Sequence, residues 1–332
     1  MRWTDGPDGP CDVVGVAGDA FDAARVVPVL RALGRGLLVT PRGAGYVGPT
    51  GVTPIVSAAF SGRRHRGRRF AALLDRLDVQ VVVVAGHTSL AHRAAAAATA
   101  VDAYVVRVGA GRGVVTPDPP GARIVHLAAD ADAAATLVAA GRPPHTVQVA
   151  GDPVAAGWRA VADDPRIATD LGAVRLSGRS EPLVTVACDS AESVATVAAA
   201  VHALSLMHTV SVVWKIPSAA VRAAVTPMVG HCQPIALIDR PQIAARVRLT
   251  SVSQVVITDR VAGAPIHEIA GAFGCPVLTA DADDLVGAAE EQLDRVIGPR
   301  PASAVADAAA EACARVVSGA CRGIADPESL AS

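Results

Sequence analysis

Aromatic residues are scarce: four Phe, three Trp and two Tyr amount to 3% of 332 residues. An interior built without them rests on Val, Ala, Leu and Ile, which favours helix-covered parallel sheets over an aromatic-rich β-sandwich. Charge of one sign is also missing. The 30 Lys and Arg residues nearly balance 31 Asp and Glu, and a net charge of −1 gives no global pull toward nucleic acid or an anionic membrane. Six cysteines, Cys11, Cys188, Cys232, Cys275, Cys313 and Cys321, lack C-x-x-C spacing, so neither a zinc site nor a disulfide framework is indicated. No apolar run approaches the roughly 18 residues of a membrane span. The polar, turn-rich start, residues 1–10, has no signal-peptide apolar core. The expectation is a cytoplasmic protein with no metal, no cofactor, no nucleic-acid partner and no membrane partner.

What is present is a long, apolar, strongly patterned chain. Hydrophobic residues make up 51% and mean hydropathy is +0.39, enough for a large interior, while 332 residues suit two domains better than one core. Strand patterns at 13–17, 36–40, 79–85, 103–108, 123–127 and 146–149 alternate with helix patterns at 21–33, 69–77, 88–100 and 130–140. Gly151-Asp152-Pro153 breaks the rhythm, 158–171 reads as helix, and the polar segment 177–182 as a linker. A second alternating set follows. Its strands are 183–187, 209–214, 234–238 and 255–258, and its helices 193–204, 219–229, 242–249, 266–273 and 283–296. This order predicts an α/β protein of two Rossmann-like, doubly wound domains facing across a cleft, residues 1–155 and 156–300, with a helix at 302–317 packing back from a C-terminal segment, 301–332.

Residues 257–278 carry the most information in the second half. A β-branched strand leads to a turn at Gly263, Pro265 suits the first turn of a helix, Gly274 its C′ position, and Pro276 stops it before the next strand. Such a unit offers a helix N-terminus to an anionic ligand. Glu268, one turn in, could accept ribose hydroxyls, or could be a surface carboxylate near a helix N-terminus. In the first half, Gly43 to Gly48 matches G-x-G-x-x-G letter for letter. The following Pro49-Thr50-Gly51-Val52-Thr53-Pro54 cannot open the helix such a site requires, so the run reads as a glycine loop. The basic run 61–69 lacks interleaved aromatics and reads as a solvated cap before a helix, or as a loop meeting phosphates.

Residues 18–33 resemble G-T-R-P-E-A-I-K-x-x-P-V-x-x-A-L, and 79–88, ending Val-Ala-Gly-His-Thr, resemble D-L-V-L-V-x-G-D-T. Residues 103–112 resemble I-P-V-x-H-V-E-A-G-L-R, and 148–154 resemble V-x-G-N-P-V. Residues 235–249 resemble L-I-x-P-x-x-Y-x-x-F-V-x-L, and 258 onward resembles T-D-S-G-G-x-Q-E-E-A-P-x-L-G-x-P-V-L. With these six segments in order the chain resembles the non-hydrolysing UDP-N-acetylglucosamine 2-epimerases, which use the GT-B-like fold.

The departures fall on the chemistry. In that family UDP is eliminated to an unsaturated glycal and re-added, which needs acid and base groups around the reacting carbons. The acid of G-D-T is His87 here, that of E-A-G is Gly109, the arginine of G-T-R-P-E is Ala20, and its lysine is Arg25. The segment with P-E-E-x-x-R is missing, residues 113–121 forming a short Pro-rich loop. In T-x-H-R-x-E-N, Asp189 stands at the histidine and Ser190 at the arginine. The resemblance places Arg246 where a phenylalanine stacks on uracil, and a guanidinium can stack in its place. His267 and Glu268 stand at the paired glutamates, an exact register putting Ile269 at one of them, and Thr279 replaces an arginine ahead of Asp281, Asp283 and Asp284.

The resemblance therefore implies a UDP-sugar bound by Arg25, Arg246, Gly263, His267 and Glu268, with His87, Asp189 and Arg112 as the candidate catalytic residues and ordinary epimerisation not expected. Each also has a plain structural reading: Arg246 as a solvated helix residue, His87 as a strand-end donor, Arg112 as a loop charge. Three function classes stay open. These are an enzyme with replaced groups, His87 and Asp189 opposed as acid and base; a lapsed homologue acting as a binding protein or pairing with an active one; and a glycosyltransferase-like enzyme. The family resemblance also implies a homodimer.

Overall fold

A computed structural model describes residues 12–41, 53–57, 66–86, 88–111, 115–164, 181–229, 235–239, 241–260, 264–295 and 304–321. The glycine run 43–48 and residues 61–65 of the basic run lie outside them. The chain divides into two compact units, residues 1–157 with 303–332, and residues 158–302.

The first unit is a seven-stranded parallel sheet in the order β3-β2-β1-β4-β5-β6-β7. The strands are β1 (Val13–Val16), β2 (Leu37–Pro41), β3 (Thr53–Ser57), β4 (Val81–Ala85), β5 (Tyr104–Ala110), β6 (Ile124–Ala128) and β7 (Val147–Val149). Runs such as Val81-Val82-Val83-Val84-Ala85 are buried along their whole length, as strands covered on both faces must be. On one face α2 (Arg66–Arg76) and α3 (Ser89–Thr99) seal Phe70, Leu73, Leu74 and a stripe of alanines against Val14, Val82 and Val84. On the other, α1 (Ala20–Leu33) and α11 (Ala304–Cys321) bury Val26, Leu30, Cys313 and Val317 against Val13, Val81 and Val83. The helix expected at 302–317 thus belongs to this unit. Helix α4 (Ala131–Ala139) covers the far edge with Leu137.

Strand β3 is not legible as one, because Pro54 sits inside it. Among the described residues it pairs with β2 alone, Leu38 opposite Pro54, and an edge strand accommodates a missing donor. Helix α1 starts where Asp19 accepts hydrogen bonds from the Phe21 and Asp22 amides and ends where Gly34, at φ 67°, turns the chain. Pro28 inside α1 has no N–H for the Ala24 carbonyl. Gly157 of α5 (Val154–Ala162) packs against that carbonyl so closely that a Cβ has no room. The helix expected at 158–171 begins earlier, at Val154, and residues 165–180 lie outside the description.

Between β5 and β6 the described residues contain no helix. Residues 115–122 cross instead as a loop, anchored by Asp118. That carboxylate meets His126 Nε2 at 3.1 Å, Arg142 Nη1 at 3.1 Å and Arg107 Nη2 at 3.5 Å. Arg107 and His126 are register partners on adjacent strands and both are fully buried, so the loop's one acid supplies the counter-charge beneath it.

The second unit is a five-stranded parallel sheet in the order β10-β9-β8-β11-β12, formed by β8 (Leu183–Ala187), β9 (Ser211–Ile216), β10 (Ile235–Asp239), β11 (Val255–Thr258) and β12 (Val277–Thr279). Helices α6 (Glu192–Met207), α7 (Ala219–Val229) and α10 (Leu285–Asp294) cover one face around Trp214, Val201, Val221 and Leu285. On the other lie α8 (Ile243–Val252), through Ala245 and Leu249, and α9 (Pro265–Ala272), through Ile266 and Ala270. The unit around α9 forms as its sequence requires: Pro265 opens the helix and Gly274, at φ 61°, follows it.

Candidate functional site

In a doubly wound sheet the strand order reverses at one point, and the loops leaving the two central strands there diverge to leave a crevice at their carboxyl ends. In the second unit that point lies between β8 and β11. The loop after β8 carries Asp189 and Ser190; the loop after β11 carries Asp259 and Arg260. They are tied together, because the Asp259 carboxylate accepts the Asp189 amide at 3.0 Å and the Ser190 amide at 2.7 Å. The Asp189 side chain is thereby fixed over the strand ends. Its Oδ2 accepts a hydrogen bond from the Arg260 guanidinium, and its Oδ1 lies 3.6 Å from Lys215 Nζ on β9.

One further cation and a histidine complete this end of the sheet. Arg246, on α8, is half-buried and donates from Nε to the Pro241 carbonyl at 3.0 Å. Burial pulls its guanidinium below the ordinary value. Burial first, and the nearby Arg246 charge second, pull the Lys215 ammonium down as well. His267 Nε2 donates to the Arg260 carbonyl at 3.1 Å, so His267 and Asp189 are linked through one residue. Glu268, the next residue of α9, accepts from the buried Trp158 indole at 3.3 Å. Cys188 is not a nucleophile here: burial, with Asp259 adding to it, pushes its thiol up to about 12.

In the first unit the reversal lies between β1 and β4. Asp22 of α1 occupies it, accepting the Gly18 amide at 2.9 Å and the Thr88 hydroxyl at 3.4 Å, while Thr88 itself caps α3 through the Ala91 amide. Arg25, one turn further along α1, forms a shielded ion pair with Asp152 at 3.3 Å. A Cβ at Gly109 would stand 2.9 Å from the Cδ and Nε atoms of Arg25. Arg25 thus fills the space that a side chain at position 109 would take, and Gly109 adopts φ 62°, a backbone that side chains rarely take.

Of the residues singled out from the sequence, Asp189, Arg246 and His267 come together at the carboxyl ends of the second sheet, with Glu268 adjoining on α9. Arg25 lies in the first unit. His87, Arg112 and Gly263 fall outside the described residues. Sequence reading passed over Lys215 and Asp22. The signal for Lys215 was a lone cation in the apolar strand Val212-Val213-Trp214-Lys215-Ile216, a residue type seldom buried without a reason. Among the described residues no three His, Cys, Asp or Glu side chains gather to hold a metal ion, and no helix is long and apolar enough to cross a membrane.

No protein-family model matches the chain, and no curated protein matches it. Solved structures do. The UDP-GlcNAc 2-epimerase of Methanocaldococcus jannaschii superposes with a TM-score of 0.73 at 14% identity, over 92% of this chain and 99% of that one. The UDP-GlcNAc 2-epimerase of Neisseria meningitidis, bound to UDP-GlcNAc, gives 0.68 at 14%, over 93% and 98%. Another, from Rickettsia bellii, gives 0.59 at 13%, over 94% and 97%. Two parallel sheets with flanking helices, matched along nearly their whole length in these structures, give this chain the GT-B-like α/β fold of the UDP-N-acetylglucosamine 2-epimerases, at great distance in sequence.

Proposed function

We propose that the protein binds a nucleotide-sugar of the UDP-sugar class at the carboxyl ends of its second sheet and does not carry out ordinary 2-epimerisation. The observation that carries the binding half is the collection of Lys215, Arg246 and Arg260 around the point where the order of that sheet reverses. A diphosphate needs cations and a helix N-terminus, a base needs a flat face, and a ribose needs an acceptor. Arg246 supplies the face, the start of α9 the amides, and Glu268 an oxygen for the ribose hydroxyls. Solved structures of this fold hold UDP-GlcNAc in the Neisseria meningitidis enzyme, and UDP-GlcNAc with UDP in that of Methanocaldococcus jannaschii, which supports the same ligand class here.

The catalytic half rests on Gly109 and Arg25. Where the family resemblance puts an acid, this chain has a glycine whose side-chain space is filled by an arginine paired to Asp152. A group has been removed and its place taken, so proton transfer at that point has no donor. His87, Arg112 and Asp189 remain the residues through which any different chemistry on the sugar would run.

The test is a thermal-shift series with UDP, UDP-GlcNAc, other UDP-sugars and purine-nucleotide sugars. Ligand at about 100 times its dissociation constant stabilises by about 2.7 kcal/mol, a clear rise in melting temperature. Silence across the series rejects the binding reading. Proton NMR in deuterated water then examines the second half: loss of the sugar C2 proton signal would restore epimerisation, and an unchanged signal is expected.

A further inference from the structure

Two acids stand among the cations where the second sheet reverses its order. Lys215, Arg246 and Arg260 bring three positive charges, and Asp189 and Asp259 two negative ones. The two acids do different work. Asp259 spends its oxygens on backbone amides and holds the two loops in place. Asp189 does no such structural duty with its side chain. Its carboxylate sits between Arg260 and Lys215, a quarter exposed, with Oδ1 forming no hydrogen bond among the described residues. A carboxylate held by two cations that come from two different strand ends, and open to solvent on one side, has the charge and the position of a bound phosphate oxygen.

We propose that Asp189 is an internal stand-in for the ligand's phosphate: it occupies the Lys215–Arg260 cation pair in the empty protein and is displaced when a diphosphate enters. The inference deepens the nucleotide-sugar reading above and rests on it for the identity of the natural ligand. It gives Asp189 a role in binding, opposite in sign to that of an acid–base group. The ligand has to win the cations from a tethered competitor, so affinity for a bare diphosphate is held down. The displacement costs every diphosphate the same, so useful affinity is left to a ligand that also engages Arg246 and Glu268. Lys215 becomes the specificity-determining cation. Half-buried and already depressed by burial and by Arg246, it gains most from an added anion.

The experiment measures inorganic pyrophosphate and UDP binding by calorimetry at low and at physiological salt. Asp189→Asn keeps the shape and removes the competing charge. It should bind pyrophosphate at least about fivefold more tightly than the wild type, and adding Lys215→Met should abolish the gain. Asp294→Asn, which removes an exposed carboxylate at the last residue of α10, controls for net charge and should change nothing. Equal or weaker pyrophosphate binding by Asp189→Asn overturns the inference, even where wild-type protein binds UDP-sugars well and the functional reading stands. The converse is also distinguishable: pyrophosphate binding gained by Asp189→Asn in a protein that ignores every UDP-sugar supports the stand-in and rejects the functional reading. Should Asp189→Asn fail to fold, Lys215→Met in the otherwise wild-type chain decides, since unchanged UDP affinity there rejects the cation pair as the phosphate seat.

Discussion

The Asp22 carboxylate accepts a hydrogen bond from the Thr88 hydroxyl at 3.4 Å, and so joins the ends of β1 and β4 where the first sheet reverses its order. Burial pushes this carboxyl from 3.8 up to about 6; the Gly18 amide opposes the rise and Asp19 adds to it. A folded-state value above the unfolded one means that the native protein holds the extra proton between 3.8 and about 6. Stability from this group therefore falls as pH rises through that window, and the deficit is complete above it. Asp22→Asn imitates the neutral acid. It should be more stable than the wild type at pH 8 by about 1–3 kcal/mol and level with it near pH 4. Urea unfolding at both pH values checks this, and a difference independent of pH would remove the explanation.

Restoring the missing acid alone should not restore chemistry. Gly109→Glu asks a side chain to adopt φ 62° and to displace Arg25 from beside Asp152. A cost of about 1–2 kcal/mol for the backbone alone is expected, with more from the steric conflict. Unfolding midpoints should drop, and NMR should still show no exchange at the sugar C2. Gly109→Glu combined with Arg25→Lys should recover part of the stability, because the shorter cation vacates the space. A single Gly109→Glu variant as stable as the wild type would show that Arg25 does not fill the position.

The helix-free crossover depends on Asp118. Burial by itself would raise this carboxyl, but the His126 hydrogen bond and charge, with Arg142 and Arg107, hold it below the ordinary range. A depressed folded-state value stabilises above the unfolded one and is lost as pH falls through the folded one, so the contribution is present at neutral pH and fades in acid. Asp118→Ala removes the carboxylate shared by Arg107 and Arg142 and should cost about 3–5 kcal/mol at pH 7. The gap from the wild type should narrow on acidification. A loss below about 1 kcal/mol would place the network in solvent rather than in the interior.

How much of this was legible depends on where the constraint lay. Strands such as 81–85 and 183–187 announce themselves, since burial on both faces demands unbroken apolar runs. The α9 unit does too, because Pro265 and Gly274 have few other uses. Strand β3 did not, since an edge position tolerates the proline that argues against it. At the site, Asp189, Arg246, His267 and Glu268 could be named from the resemblance. The partners that define what they do could not: Lys215 lies 26 residues from Asp189 in sequence, and Trp158 lies 110 from Glu268. Pairings across a parallel sheet carry no local pattern. Asp22 is an acid in the first turn of α1, and only the closeness of Gly18 and Thr88 marks it out.

The Trp158 indole gives an optical handle on the proposed ribose contact. Its N–H is donated to Glu268 at 3.3 Å, and the chain holds three tryptophans in all. A ligand that draws on the Glu268 carboxylate should shift or quench Trp158 emission in proportion to occupancy. Trp158→Phe should abolish the signal while calorimetric binding persists, and Glu268→Gln should weaken binding by about tenfold, the equivalent of one charge-assisted hydrogen bond. Binding without any change in Trp158 emission would separate Glu268 from the ligand.

Helix α11 completes the interior of the first unit from the far end of the chain, Cys313 and Val317 lying against Val26 and Leu30 of α1. During synthesis, then, α1 leaves the ribosome and waits for a helix that comes only after the whole second unit. Residues 158–302 can settle into their own sheet while α1 still has a bare apolar flank. A nascent chain arrested before residue 304 should accordingly bind chaperones through its N-terminal portion and release them once α11 emerges.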